Sequence, residues 1–174
     1  MRKFYRQLRS SRSLSAFASV DHVRRDVVAV TDSVIGVIFP ILPEHIRRFF
    51  EQGKRVFIKF VASAHTGLRR GSKLFFYESR SKKQIVGEAR IVQISSGTMD
   101  EVLLEHGADL FLTPEQLKEY VGNRRERRML VLVLDGVRKY STPLKVDRPI
   151  TMAGQYMTKE IFRRLKDSAV GRPQ

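Results

Sequence analysis

The stretch "EQGKRVFIKFVASAHTGLRRGSKLFFYES" (residues 51–79) places two apolar, strand-like runs on either side of a polar loop. The first run alternates so that Phe57 and Lys59 share one face of a predicted strand. The loop is small, hydroxylic and basic, and His65 lies in its middle. Cations and aromatic rings around one polar loop are the groups that hold phosphates and stack on flat bases. The stretch therefore predicts a site for an anionic, planar ligand.

A second pattern predicts a hairpin formed by residues 73–79 and 84–94, joined by the polar turn "SRSKK". Within its second strand, Gly87 indicates a bulge or a close backbone approach. Alternation puts Glu88 on the face opposite a predicted apolar set, which consists of Ile85, Ala89 and Ile91.

The remaining elements follow from turn and cap signals. Thr113 with Gln116 three residues later forms a predicted capping box, and Pro114 suits the first helical position. Thr158 is the predicted N-cap of a basic terminal helix. The other predicted elements are a strand at 33–42, a helix at 43–53, a helix at 98–107 and a strand at 129–134. Short strands with helices between them predict an α+β fold, a small mixed β-barrel of about five or six strands with helices at its rim.

Two regions are predicted from the composition along the chain. Residues 1–30 are rich in Arg and Ser and contain no acid before Asp21. They read as a basic N-terminal arm, flexible or loosely helical, with an organelle transit peptide as the alternative. Residues 31–174 then form one barrel domain with a C-terminal helix.

The overall charge points to a polyanion as the partner. The 174 residues contain 33 Lys plus Arg against 18 Asp plus Glu, a formal net charge of +15. Clustered cations that neutralise phosphates release counterions, so nucleic acid is the first candidate. A basic protein without a polyanionic partner and a peripheral membrane binder remain alternatives.

The lack of cysteine and of a long apolar run determines what we expect about compartment and membrane insertion. There is no cysteine, which excludes disulfides and thiolate catalysis and fits a reducing compartment. No apolar run approaches the roughly 20 residues that a spanning helix needs. We expect a soluble, cytoplasmic protein that does not enter the membrane.

The predicted nucleic-acid site combines cations, small donors and an aromatic ring. Its residues in and around the opening stretch are Lys54, Arg55, Lys59, Ser63, His65, Thr66, Arg69, Arg70 and Tyr77. A second basic patch is "NRRERR" (123–128), from which Arg124 and Arg125 are assigned to the same function. For this patch a charged turn that only solubilises the sheet is the competing interpretation.

Catalysis is left open by the sequence. Lys59, Thr66 and Glu88 are candidates for an acid–base cluster, because a lysine on one strand facing a glutamate on the next can shift its pKa. Such pairs are more often structural ion pairs. The four histidines show no metal-ligand spacing, so we predict neither a metal nor a cofactor.

Residues 46–94 carry a resemblance to a known superfamily. A helix ending in Gly-Lys-Arg, a strand, then "LRRGSKLFFYES" and "KKQIVGEARIVQI" resemble the core of the PUA-like superfamily and its ASCH-type domains. Roughly 33–165 is also similar to an archaeal family of unknown function in that superfamily, especially through "PITMAGQYMTKE". The resemblance implies a barrel with a cleft beside its first helix that holds RNA or a single modified base.

The resemblance also implies a possible activity, from which this sequence departs. The ASCH enzyme pattern is Gly-x-Lys-x-x-Glu/Thr-x-Arg, and Gly53 matches its first position. The other three positions are occupied by Arg55, Ile58 and Phe60. Arginine does not readily release a proton and isoleucine has no oxygen, so recognition is carried over better than catalysis.

The predicted function is therefore recognition of structured RNA or a modified nucleotide through a basic cleft, with tRNA or rRNA as the partner. The alternatives are a hydrolase acting on a modified nucleoside, and an adaptor within an RNA-modification or ribosomal complex that has a protein partner.

Overall fold

The computed structural model describes residues 34–61, 67–80 and 82–170, and in this part of the chain it contains six strands and four helices. The strands are β1 (Val34–Ile41), β2 (Val56–Lys59), β3 (Lys73–Glu78), β4 (Gln84–Gly97), β5 (Met129–Lys145) and β6 (Gln155–Thr158). The helices are α1 (Pro43–Glu51), α2 (Met99–His106), α3 (Pro114–Val121) and α4 (Lys159–Val170). The predicted arm at 1–30 lies outside the described residues.

The six strands form one sheet in the order β2-β5-β4-β3-β1-β6. The β1 and β3 strands pair in parallel, and the other neighbours pair antiparallel. This confirms the predicted α+β fold and the strand number. Within the described residues, hydrogen bonds do not close the sheet into a barrel, and β2 and β6 are its edges.

The sheet nevertheless curls, because residues from distant strands meet inside it. Phe39 on β1 stacks on Phe57 on β2, with ring centroids 5.5 Å apart and an interplanar angle of 18°. These strands are separated by three others in the sheet order. Phe57 also stacks on Phe111, at 5.3 Å. The concave side of the sheet is therefore filled by an aromatic core, against which α1, α2 and α3 pack.

A second, smaller core lies on the convex side under α4. It is built from Ile38, Phe75 and Tyr77 of the sheet together with Met157 and Leu165. Since Ile38 and Phe39 are sequence neighbours, the alternation of a strand sends them to opposite cores. The sheet is consequently buried on both faces along β1 and β3.

The predicted hairpin and bulge are present. The β3 and β4 strands pair antiparallel with Phe75 opposite Glu88, and the register shifts between Ile85 and Gly87 on the other side of β4. A β-carbon at Gly87 would overlap the Arg138 carbonyl oxygen, which explains the glycine. The prediction that Ile85 shares a face with Ala89 is wrong, because the bulge sends Ile85 to the convex core and Ala89 to the concave one.

Capping explains where the helices begin. The Thr113 hydroxyl accepts from the Gln116 amide at 3.2 Å, and the Gln116 side chain accepts from the Thr113 amide at the same distance. The predicted cap of α4 is also confirmed, since the Thr158 hydroxyl accepts from the Ile161 amide at 3.2 Å. Satisfying these otherwise unpaired amides fixes the first turn of each helix.

The segment between β5 and β6 covers the aromatic core. Gly154 has φ +80° and donates to the Thr151 carbonyl at 2.9 Å. A β-carbon at this position would overlap the edge of the Phe39 ring. The turn can therefore lie directly on Phe39 only because it contains glycine.

We predict that Gly154→Ala destabilises the fold by about 2–5 kcal/mol, the sum of left-handed strain and overpacking against Phe39. Gly53→Ala is the matched control, since Gly53 has φ +66° and open space around it, and it should cost only about 1–2 kcal/mol. Urea unfolding of the two variants measures the difference. Equal losses would show that contact with Phe39 adds nothing.

Candidate nucleic-acid interface

A cavity of about 510 Å³ opens between the end of β1, the start of α1, β2 and α3. Its walls are apolar where Ile41, Phe57 and Phe111 contribute, and Met152 lies at its edge with 65% of its surface exposed. Its polar lining consists of Glu44, His45, Lys59, Ser79, Arg80, Gln116, Glu119 and Tyr120. A largely apolar hollow with a few polar groups is the usual form of a ligand site.

Lys59 is the buried cation of this cavity. It ends β2 on the same face as Phe57, is 6% exposed, and its Nζ lies 5.6 Å from the Phe39 ring centroid. Within the described ranges, its ammonium has neither a hydrogen bond nor an ion pair. Burial lowers the pKa of Lys59 below its ordinary value. The group is thus available to a hydrogen-bond acceptor or an anion that enters the cavity.

His45 lies at the start of α1, on another wall. Its ring meets Phe111 edge to face at 5.4 Å. Burial, followed by the nearby Arg48 guanidinium, lowers the pKa of His45 below its usual value. His45 is therefore neutral at pH 7 and can both donate and accept a hydrogen bond.

A stack of aromatic and guanidinium groups adjoins the cavity. Phe60 and Tyr120 stack with centroids 5.3 Å apart at 22°, and the Tyr120 hydroxyl accepts from the Phe60 amide at 3.0 Å. Arg124 lies over Phe60, with its Cζ 4.3 Å from the ring centroid, and Arg127 approaches the same ring at 5.3 Å. Because Tyr120 belongs to both the stack and the cavity lining, the basic turn 122–128 lies beside the pocket.

The guanidinium of Arg124 is held in place by the end of α3. It donates to the carbonyl oxygens of Tyr120 at 2.7 Å and Val121 at 3.2 Å. The remaining hydrogen-bonding capacity and the charge of this side chain face solvent. An ordered arginine stacked on an aromatic ring is a frequent contact group for phosphates and bases.

The other predicted cations are distributed more widely. Lys54 donates to the Ala108 carbonyl at 2.7 Å, Arg125 pairs with Asp100 at 3.3 Å, and Arg55, Arg69 and Arg70 are exposed. None of these five lines the cavity of Lys59. Ser63, His65 and Thr66 lie outside the described residues.

The assignment of Tyr77 to base stacking is corrected by its burial. Tyr77 is 1% exposed and belongs to the convex core. The sequence places it on a strand among aromatic residues, but both faces of β3 are covered. No ligand reaches its ring in this fold.

Glu88 belongs to a structural network. Its carboxylate accepts from Lys73 at 2.8 Å, from Arg138 at 2.6 Å and from the Tyr140 hydroxyl at 2.6 Å. Burial by itself would raise the pKa of Glu88, but the hydrogen bonds from Lys73 and Tyr140 and the charge of Lys73 lower it below its ordinary value. The burial of Tyr140 and its hydrogen bond to Glu88 raise the pKa of the Tyr140 hydroxyl.

Lys59 and Glu88 therefore do not form the predicted acid–base cluster. Lys59 faces the concave core beside Phe39, whereas Glu88 points to the convex side, opposite the neighbouring Ala89. Lys59 lies on β2 and Glu88 on β4, as the sequence predicts, but the two side chains lie on opposite faces of the sheet. The described ranges also contain no group of three or more His, Asp or Glu residues placed to hold a metal.

Several cavity residues were not found by sequence reasoning, among them His45, Arg80, Glu119 and Tyr120. The one signal that pointed toward them was "NRRERR", the basic turn directly after α3. The Phe60–Tyr120 contact joins positions 60 residues apart, so no local pattern predicts it. No helix in the described part of the chain combines the length and the apolar character that crossing a bilayer requires.

The curled sheet with a cleft beside its first helix is an ASCH-type fold. Two crystal structures of the ASCH protein from Zymomonas mobilis share this fold. A single-residue mutant aligns with a TM-score of 0.66 and 16% identity over 78% of this chain and 97% of that one. Another structure of the protein aligns with a TM-score of 0.65 and 16% identity over 76% and 94%.

The chain belongs to the family described as a domain of unknown function, DUF365, whose model matches residues 34–159. It is also similar to an uncharacterized protein of Methanocaldococcus jannaschii, with 28% identity over 103 residues that cover 53% of this chain and 95% of the relative. The resemblance seen in the sequence is thus confirmed.

We predict that Lys59→Met raises the melting temperature. The folded pKa of Lys59 is lowered, so the unfolded chain holds the proton more tightly, and at neutral pH the folded state carries the full cost of a buried charge. Relief of about 1 kcal/mol corresponds to roughly 2–4 °C, measured by thermal unfolding. The exposed Lys118→Met serves as control, and a lower melting temperature for Lys59→Met alone would contradict the prediction.

We predict that Glu88→Gln costs about 1–3 kcal/mol at neutral pH, because the buried donors around it lose a charged acceptor. Since the folded pKa of Glu88 is lowered, its stabilisation is present above the unfolded value of 4.5 and is lost as the pH falls through the folded value. Urea titrations across this acid range should show a weaker pH dependence in Glu88→Gln than in the exposed control Glu126→Gln. Identical profiles would reject the network as a source of acid sensitivity.

Proposed function

We propose that this protein binds nucleic acid, and RNA in particular, by placing a base in the cavity of Lys59 and the adjacent phosphates on the basic turn 122–128. The observation that supports this most directly is the buried ammonium of Lys59, which has no hydrogen bond or ion pair among the described residues, at the wall of a hollow of about 510 Å³. A desolvated cation without a protein partner is costly, and it persists where a ligand supplies the missing acceptor.

The dimensions and chemistry of the cavity suit a single base. Its volume lies in the range of small-molecule sites, Phe57 and Phe111 make its wall apolar, and the exposed Met152 offers a flexible apolar contact. Lys59 supplies a donor to a ring nitrogen or carbonyl oxygen. Glu119, which belongs to the same lining, supplies an acceptor for an exocyclic amine.

Cationic side chains beside the cavity are available to the phosphates of the same nucleic acid. Arg80 lies in the lining, and Arg124 and Arg127 lie over Phe60. Tethering of Arg124 to the end of α3 reduces the entropy that binding would otherwise cost. With a net charge of +15, the whole chain adds long-range attraction for a polyanion. Structured RNA, such as tRNA or rRNA with an unpaired or modified base, presents both features together.

The test compares Lys59→Met and Arg124→Ala with Lys118→Ala by fluorescence anisotropy on tRNA, on single-stranded RNA and on DNA of the same sequence. Lys118 carries the same charge but is exposed and outside the cavity lining. Loss of a charge-assisted hydrogen bond, about 1.5–3 kcal/mol, makes Lys59→Met bind roughly ten- to 100-fold more weakly. Arg124→Ala lowers the slope of log affinity against log salt by about 0.7 on single strands.

Three results would count against the proposal. One is wild-type affinity for Lys59→Met. Another is a wild-type affinity that does not change between about 50 and 200 mM salt. The third is an equal loss in Lys118→Ala, which would leave only diffuse attraction. Preference for DNA of the same sequence would reject RNA as the partner.

A second candidate is hydrolysis of a modified nucleoside, and the lowered pKa of Lys59 favours it, because it increases the fraction of neutral amine that can accept a proton. In this case the carboxylates available in the cavity are Glu44 and Glu119. Incubation with digested modified nucleosides, followed by mass spectrometry, tests it. A mass change that disappears in Lys59→Met supports hydrolysis, and unchanged nucleosides reject it.

A further inference from the structure

A groove of about 660 Å³ lies on the convex side, between the second half of β5 and α4. Its floor is formed by Leu144, Phe162 and the ring of Tyr140, and its rim by Arg138, Lys139 and Lys166. The hydroxyls of Ser141 and Thr142 lie along the same edge and are exposed. This surface has no residue in common with the cavity of Lys59.

The charge of the groove is strongly one-sided. Four cations belong to it or to its hydrogen-bond network, Lys73, Arg138, Lys139 and Lys166, against the single carboxylate of Glu88, which leaves a formal charge of +3. Glu88 is buried and already accepts from Lys73 and Arg138. Lys139 and Lys166 have no ion pair among the described residues, and both are exposed.

Several of these groups are ordered by the fold. Arg138 is fixed at 2.6 Å from Glu88 while 65% of its side chain remains exposed. Phe162 packs against Phe75 with the rings tilted by 48° and their centroids 5.4 Å apart. Two ammonium groups lie beside the Phe162 ring, Lys73 at 5.6 Å and Lys166 at 5.5 Å. A half-buried ring flanked by cations combines the stacking surface and the phosphate partners of single-strand binding sites.

The groove also continues along α4. A second hollow of about 420 Å³ shares Phe162 and Lys166 with it and adds Lys159 and Arg163, together with one acid, Asp167. The basic surface therefore follows a line across the helix. A linear array of cations fits a linear polyanion better than a compact ligand.

We propose that this groove is a second RNA-binding surface, which takes the sugar–phosphate backbone of a single-stranded segment while the cavity of Lys59 takes a base. The inference rests on the proposed function only for the identity of the polyanion. Because the two surfaces lie on opposite sides of the sheet, one domain contacts two separate segments of RNA.

The test uses the full chain and a single-stranded RNA of about 20 nucleotides, longer than the roughly 4–16 nucleotides that one binding surface occupies. The variant is Lys139→Ala/Lys166→Ala, and the matched control is Arg47→Ala/Lys118→Ala, which removes two exposed cations from α1 and α3. Circular dichroism melts verify that all variants fold. If the double variant Lys139→Ala/Lys166→Ala does not fold, the single variant Lys166→Ala replaces it.

The expected result is a salt slope lower by about 1.4, since each lost phosphate contact removes about 0.7, with at least about tenfold weaker binding at about 50 mM salt. The control keeps the wild-type slope. Photocrosslinking of 4-thiouridine RNA should label residues 138–169 equally in the wild type and in Arg47→Ala/Lys118→Ala, and less in Lys139→Ala/Lys166→Ala.

The outcomes separate the two proposals. Loss of binding in the groove variant together with normal binding in Lys59→Met and Arg124→Ala supports the groove and rejects the cavity. Wild-type slope and affinity in the groove variant overturn the groove and leave the cavity standing. Binding to phosphatidylserine vesicles that depends on Lys139 and Lys166, with RNA binding unaffected, also overturns it, because the surface would then serve a membrane.

Discussion

The stacking of Phe39 on Phe57 is the contact on which the rest of this structure depends. It joins a strand near one edge of the sheet to the strand at the other edge, so the sheet must curl. Gly154 allows the following turn to lie on the same ring. The apolar surroundings produced in this way also desolvate Lys59, whose ammonium lies beside Phe39. This aromatic pair thus contributes both to the shape of the cleft and to the burial that lowers the pKa of Lys59.

Lys59 and Glu88 are both buried, yet the fold treats their charges in opposite ways. Glu88 accepts three hydrogen bonds, and these offset the cost of removing its carboxylate from water. Lys59 has no comparable partner in the described residues. Satisfied buried charges serve the architecture, whereas an unsatisfied one in a cavity is a group held ready for a ligand. This contrast is the main reason to propose the ligand site at Lys59 and not at Glu88.

The fold explains one difference between this sequence and the ASCH pattern, the phenylalanine at position 60. Where that pattern has its last arginine, this chain has Phe60, and Arg124 from the turn after α3 lies over the ring at 4.3 Å. A guanidinium therefore occupies this neighbourhood although the sequence position is apolar. It is tethered to helix carbonyls and stacked on an aromatic ring, an arrangement suited to contact and not to proton transfer. Among the described residues, cations are gathered both here and along α4.

The sequence by itself determined the local elements. The capping box at Thr113, the cap at Thr158, the hairpin and the bulge at Gly87 depend on hydrogen bonds and backbone angles within a few residues, and all could be predicted. The basic character of residues 123–128 was equally visible. Only the tertiary structure decided which face of each strand meets which core. Because of the bulge, Ile85 lies in the convex core and not in the concave one. Both faces of β3 are covered, so the Tyr77 ring is inaccessible to a ligand. Lys59 and Glu88 lie on opposite faces of the sheet. The cavity itself depends on contacts such as Phe60 with Tyr120, which arise when distant segments pack and which no periodicity encodes.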